Sequence, residues 1–224
     1  PQQHLDFARE FGPLETHPVN PKDGFPELFV LHNDANRPPA DTAVWHSDVT
    51  WRPEPSLGSI LIAREVPKVG GDTLFANMEA AYRGLDDVTK ALIKDRRAIH
   101  QFEPMRRHLL HSGADTEKMA KFEKKYPKTT HPIVSSHPVT GEKSIYVNRL
   151  FTVGIEGMTD AEAQPLLNKL FATASHPEYQ CRFRWHKHSI AFWDNRAAQH
   201  YATADYYPHE RLMERATIEG DRPV

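Results

Sequence analysis

Apolar residues in this 224-residue chain fall mostly in short runs bounded by Gly, Pro, Asn or Asp, the pattern of a strand-rich fold. The run ELFVL (27–31) reads as a short buried strand, and a polar, Pro-containing loop follows through Asp41. SILIAR (59–64) is a second strand, and Gly70–Gly71 marks a turn before TLFA. The stretch 131–148, HPIVSSHPVTGEKSIYVN, reads as two short strands around a turn at Thr140–Gly141. Further on, CRFRW (181–185) alternates, SIAFWD (189–194) reads as a buried strand, and RLMERATIEG (211–220) as a last strand. Helical spacing is rarer. The opening residues predict a helix with Pro1 in its first turn, Gly12 just past its end, and Leu5, Phe7, Ala8 and Phe11 as its apolar face. Two helices are expected over 77–83 and 87–96, the second capped by Asp86. Thr159 and Glu162 form a capping-box pattern ahead of AQPLLNKLFATAS, and Pro165 beyond the first turn argues for a kink or a later start. Residues 104–130, polar and rich in Met, His and Lys, are expected to form a partly helical excursion or lid.

Strands outnumber helices, so the expected class is mainly β with flanking helices. No repeat, low-complexity tract or linker interrupts the chain, and residues 1–224 read as a single domain. An opening helix this abrupt predicts that an N-terminal segment is missing. Charge narrows the partners: 28 Lys+Arg against 30 Asp+Glu leaves a net charge of −2, with no basic field to draw nucleic acid. No apolar stretch approaches the roughly 20 residues a membrane span requires. The N-terminus lacks the charged-then-apolar pattern of a signal peptide. A lone Cys181 rules out an intrachain disulfide and suits the reducing cytoplasm.

The candidate chemistry starts in WHSDVTW, where His46 and Asp48 stand two apart. On a strand, residues i and i+2 share a face, so an imidazole and a carboxylate converge on one metal. A second histidine, His200, follows the Asp194–Asn195 break in WDNRAAQHYATADY. Two imidazoles and one carboxylate on one face of an octahedron leave three positions open, the facial triad of Fe(II) oxygenases. Arg211 comes eleven residues after His200, beyond the turn-like DYYPHE, where an adjacent antiparallel strand is expected to return. Its guanidinium suits a two-pronged grip on a carboxylate, and the Thr73 hydroxyl, in GGDT, suits the same group. Taken singly, each of these is bland: an H-x-D pair or a lone histidine is more often a surface or core feature than a ligand. Their order and spacing together carry the argument.

Six stretches, FAREFGPLETHPV, WHSDVTW, GGDTLFANMEAAY, HPVTGEKSIYVNRLFT, WDNRAAQHYATADY and RLMERATIEGD, resemble the taurine dioxygenase family of Fe(II)/2-oxoglutarate oxygenases. That resemblance implies a double-stranded β-helix (jelly-roll) and Fe(II), 2-oxoglutarate and O2 as cofactor and co-substrates. It implies His46, Asp48 and His200 as the catalytic iron ligands, and Thr73 and Arg211 as holders of the distal carboxylate of 2-oxoglutarate. Arg215, His17 and Phe151 match substrate contacts, with Arg215 gripping an anionic head group. Arg211 and Arg215 are four apart, so on a strand both face one side. The implied reaction hydroxylates the carbon next to a sulfonate of a taurine-like substrate, releasing sulfite, aldehyde, succinate and CO2. The alternative is the same chemistry on an alkyl sulfate ester or an aryloxyalkanoate. A small anionic organic substrate and a homo-oligomer are expected. Departures from the taurine enzyme fall at Asn20, where it has a sulfonate-contacting tyrosine, at Thr42 in place of asparagine, and at Met105–Arg106 in place of Ser-Phe. They put the pocket wall that reads taurine's amine in question. A zinc hydrolase would leave Arg211 and Thr73 without a role. A metal-free β-sandwich binding module would make the His/Asp set a coincidence.

Overall fold

The computed structural model describes residues 1–16, 21–39, 43–102, 117 and 124–224. The first half holds α1 (Gln2–Arg9), β1 (Pro21–Lys22), β2 (Phe25–Asn33), β3 (Gly58–Glu65) and β4 (Thr73–Asn77). Then come α2 (Met78–Arg83), α3 (Asp87–Ile93), β5 (Arg97–His100), β6 (Thr129–Pro132), β7 (Val134–Ser136) and β8 (Lys143–Ile145). The chain continues with β9 (Thr152–Ile155), α4 (Asp160–Thr173), β10 (Gln180–Phe183), β11 (Ile190–Asp194), β12 (Ala198–Ala202) and β13 (Arg211–Ile218). The strands pair antiparallel into a sheet ordered β1-β2-β13-β3-β11, a second ordered β10-β4-β12, a third ordered β6-β5-β9, and the hairpin β7-β8. No helix among the described residues is long and apolar enough to cross a membrane.

Strand β3 reads as an unbroken apolar run because both of its faces are covered. Ile60 packs outward against Leu5 and Ala8 of α1, together with Leu28, Ala216 and Ile218. Leu61 and Ala63 point inward with Met213, Ala191 and Trp193, and meet Phe75 of β4 and Phe183 of β10. The first two sheets therefore face each other across this second cluster. A third cluster sets Leu166, Leu167 and Leu170 of α4 against Ile133, Ile145 and Ile155.

Several elements differ from the sequence reading. Helix α1 buries Leu5 and Ala8, while Phe7 and Phe11 are 50% and 43% exposed. Successive helical residues turn by about 100°, so Phe7 lies about 160° around from Leu5 and cannot share its face. Instead Phe7 meets Phe11 edge to face, and Phe11 meets Phe192 likewise, with ring centroids 5.3 and 4.7 Å apart. Strand β11 is an edge strand buried on one side only: Ala191 and Trp193 turn inward, and Ile190 and Phe192 outward. Helix α4 begins at its capping box, with the Thr159 amide donating to Glu162 at 2.8 Å, and runs without interruption through Pro165. Pro165 and Ala161, whose carbonyl loses its helical donor, both sit on the exposed face, so the freed acceptor is not sealed from solvent. The third sheet leaves little trace in the pattern, because RAIH and TTHP are short and mixed in polarity. The expected excursion over 104–130 lies mostly outside the described residues; its return is β6.

Candidate metal centre

His46 and His200 come together through the backbone. Their amides and carbonyls exchange two hydrogen bonds, 3.1 and 2.8 Å long, in an isolated antiparallel bridge that adds the 46 segment to the edge of β12. Residues paired in this way place their side chains on one face, and the two imidazole rings lie 4.2 Å apart, centroid to centroid. Asp48 reaches the pair differently from the expected strand alternation. Only His46 is bridged; Asp48 opens a turn closed by the Arg52 amide on the Val49 carbonyl at 2.9 Å. Val49 takes φ +47°, a left-handed conformation that a β-branched residue adopts at a cost of roughly 1–3 kcal/mol. The strain sits directly after the carboxylate that the bend delivers.

Side chains that sequence reading missed hold this bend. Asn195 clamps the Asp48 backbone, accepting from its amide at 2.6 Å and donating to its carbonyl at 2.9 Å. The nearness of Asn195 to His200 in sequence was its only cue. The Thr50 hydroxyl meets His100 Nδ1 at 3.0 Å and accepts from Asn148 at 2.9 Å, while His131 Nε2 bonds the Thr50 carbonyl at 2.9 Å. His100 and His131 are fully buried. Burial lowers both imidazoles from their ordinary range, His100 well below it.

The donor set suits a divalent first-row ion. His46 Nδ1–H donates to the Val44 carbonyl at 2.8 Å, which leaves the Nε2 lone pair for a metal. His46 Nε2 and His200 Nε2 each lie 4.0 Å from Asp48 Oδ1, within the span of about 4.4 Å set by bonds of about 2.0–2.2 Å to one ion. All three residues are buried, and their ligand atoms fall within 4.8 Å of one another. Burial first, then neighbouring His46, pushes the His200 imidazole down to about 3; burial also lowers His46. Both rings are therefore neutral at physiological pH, the form a metal requires. Buried His200 Nδ1 finds no hydrogen-bond partner among the described residues.

The remaining expected residues divide by location. Arg215 lies on the inner face of β13, with one terminal nitrogen 3.3 Å from each Asp48 oxygen and its guanidinium over the Phe29 ring at 5.4 Å. Arg211 shares that face, because the β13 register against β2 is unbroken from Arg211 to Ala216. Strand β13 does not neighbour β12, as the sequence reading had it: β12 pairs with β4, and β13 with β2 and β3, in the facing sheet. Thr73 pairs with Ala202, as Phe75 does with His200, so Thr73 faces the same way as His200 one step along. Its hydroxyl oxygen accepts from Trp185 Nε1 at 2.9 Å and keeps its proton to donate. Phe151 is buried beside Trp51 and Phe102, with its ring edge-on to His46 at 6.4 Å. His17, Asn20, Thr42, Met105 and Arg106 lie outside the described residues.

An antiparallel β scaffold carrying two neutral imidazoles and one carboxylate defines the facial-triad class of non-haem iron oxygenases. Comparison with known proteins narrows the class. The model of the taurine catabolism dioxygenase TauD, TfdA family matches residues 1–217. An alkylsulfatase of Acinetobacter baylyi is 33% identical over 98% of this chain and 71% of its own length. An (S)-phenoxypropionate/alpha-ketoglutarate dioxygenase of Sphingobium herbicidovorans is 34% identical over 98% of this chain and 78% of its own. Among solved structures, a taurine dioxygenase from Burkholderia xenovorans superposes with a TM-score of 0.82 at 34% identity, covering 100% of this chain and 73% of that one. The chain belongs to the TauD/TfdA family. It is a 2-oxoglutarate-dependent dioxygenase with a jelly-roll fold, an oxidoreductase that uses Fe(II), 2-oxoglutarate and O2.

Proposed function

We propose that this dioxygenase hydroxylates the carbon next to a sulfonate in a small taurine-like anion, which then breaks down to aldehyde and sulfite. In this reading His46, Asp48 and His200 hold the iron, Thr73 and Arg211 take the distal carboxylate of 2-oxoglutarate, and His17, Phe151 and Arg215 meet the substrate. The observation that carries it is the placement of Arg215: a second cation on the face of β13 that bears Arg211, against the metal ligand Asp48 at 3.3 Å. Its Nε is buried and finds no hydrogen-bond partner among the described residues, a donor suited to an incoming oxyanion. When bound, Fe(II) with 2-oxoglutarate and O2 supplies the oxidising chemistry, converting the co-substrate to succinate and CO2 as the substrate carbon is hydroxylated. The protein contributes position and charge. Arg215 neutralises the anionic head, and Phe151, packed among Trp51 and Phe102, walls the site from water.

A second reading, an alkyl sulfate ester or aryloxyalkanoate substrate, is favoured by the alkylsulfatase and phenoxypropionate relatives at 33% and 34% identity. The deciding assay measures substrate-stimulated succinate formation with taurine, an alkyl sulfate and phenoxypropionate. Stimulation with sulfite release supports the sulfonate reading; stimulation by the alkyl sulfate alone, with sulfate release, replaces it. Succinate formed without O2, or equally with Zn(II), removes the iron assignment.

Arg211→Lys tests the co-substrate half of the site. Lysine keeps the charge but loses the planar fork and the Nε bond to Gly71. The KM for 2-oxoglutarate is expected to rise roughly tenfold to a hundredfold, the equivalent of about 1.5–3 kcal/mol for a charged hydrogen bond. An unchanged KM means the carboxylate is anchored elsewhere.

A further inference from the structure

The turn ahead of Thr73 builds a bracket around Arg211 that ends on Asp205. Gly70 and Gly71 have φ of +81° and +73°, conformations that side chains rarely adopt. The Gly71 carbonyl accepts from Arg211 Nε at 3.1 Å. A Cβ on Gly71 would lie 3.2 Å from Arg211 Cδ, so the guanidinium stem packs directly on the glycine. On the other side of the turn, the Gly71 amide donates to Asp205 Oδ1 at 2.8 Å. A Cβ on Gly70 would meet that same oxygen at 2.8 Å. Thr203 ties the two segments again, its amide and its hydroxyl both donating to the Asp72 carbonyl at 3.1 Å. Tyr206 covers the Arg211 guanidinium at 5.6 Å and is itself fixed by its hydroxyl on Asn33 at 2.9 Å.

With Nε engaged by Gly71 and the Tyr206 ring against one face, the plane of the guanidinium is set. The edge formed by its two terminal nitrogens then meets a carboxylate by parallel hydrogen bonds. We propose that Asp205 is a positioning residue for 2-oxoglutarate: its Oδ1 holds the Gly70–Gly71 turn, whose carbonyl orients Arg211 for the co-substrate. This rests on the assignment of Arg211 to the distal carboxylate. The competing account is a surface ion pair, since Asp205 is exposed and its Oδ2 lies 3.9 Å from Arg182. The two accounts differ in what Asp205 must offer. A bracket needs an acceptor oxygen, which asparagine also supplies; an ion pair needs the charge.

The test is calorimetric titration of 2-oxoglutarate into Mn(II)-loaded enzyme for Asp205→Ala, Asp205→Asn and Arg211→Lys, with steady-state kinetics of the Fe(II) forms alongside. Losing one hydrogen bond in the bracket is expected to weaken 2-oxoglutarate binding in Asp205→Ala roughly fivefold to tenfold. The same variant should raise KM for 2-oxoglutarate with little change in kcat, and leave Mn(II) affinity where it was. Asp205→Asn is expected to stay within about twofold of the parent, because its side-chain oxygen still accepts from the Gly71 amide. An unchanged dissociation constant in Asp205→Ala, with Arg211→Lys weakened, overturns the bracket and leaves the Arg211 assignment standing. Equal weakening in Asp205→Ala and Asp205→Asn overturns it in favour of the charge. Full affinity in Arg211→Lys instead overturns the assignment on which the bracket rests.

Discussion

Replacing Asp48 with alanine is expected to abolish turnover and lower Fe(II) affinity by more than a hundredfold, since even groups that only orient a ligand are worth roughly 10–100-fold. Asp48 is the one anion among the three ligands, and two neutral imidazoles alone hold a dication poorly. The loss also strands Arg215, whose nitrogen sits 3.3 Å from both carboxylate oxygens, so a cation then faces the metal without its counter-charge. Asp48→Asn isolates the charge from the shape of the side chain. It keeps the side-chain shape and an oxygen for the Ser59 hydroxyl, now 3.4 Å from Oδ2, but removes the charge. Both variants should show the same collapse in Fe(II) binding, measured by anaerobic calorimetry, and in succinate formed per enzyme. Near-wild-type succinate production by either would take Asp48 out of the ligand set.

Arg215→Ala should strike the substrate and spare the metal. An anion brought into a buried site against a truncated partner loses about 2–4 kcal/mol, or roughly 30- to 1000-fold in kcat/KM for the best anionic substrate. The lower part of the usual range applies because the Arg215 side chain keeps 15% of its surface exposed. Fe(II) affinity should hold or rise, since the change removes a positive charge from beside a dication. Binding of 2-oxoglutarate should move little, because Arg211 and Thr73, the proposed holders of its distal carboxylate, remain. The measurement pairs product against succinate, so that uncoupled decay of the co-substrate is seen separately. A variant that loses 2-oxoglutarate binding places Arg215 in the co-substrate site. One that keeps fully coupled turnover reduces Arg215 to a structural partner of Asp48.

Local rules made part of this legible. The α4 capping box, the Asp86 cap on α3 and the turn at Gly141 depend on residues close in sequence, and each formed where its pattern stood. The parity of Arg211 and Arg215 also survived, because alternation along one unbroken strand needs no knowledge of its neighbours. The spacing of His46 and Asp48 pointed to two residues that do lie together, for a different reason from the one operating. They converge through a bent turn at Val49, not through strand alternation.

By itself, then, the sequence determined the chemical inventory: which imidazoles, carboxylate and guanidinia the chain offers, their spacing, and the strand-rich character of the elements that carry them. Tertiary structure alone decided their convergence. His46 meets His200 across a two-hydrogen-bond bridge, Asn195 pins Asp48, and two histidines on a sheet invisible in the pattern hold Thr50 below the ligand turn. It also decided that His200 and Arg211 stand in opposite sheets, although eleven residues and a turn suggested a hairpin. The physical reason is one of range. Propensity, capping and alternation are properties of neighbours along the chain, whereas strand pairing partners and buried hydrogen bonds are chosen by which distant segments can cover one another's polar backbone and apolar faces together.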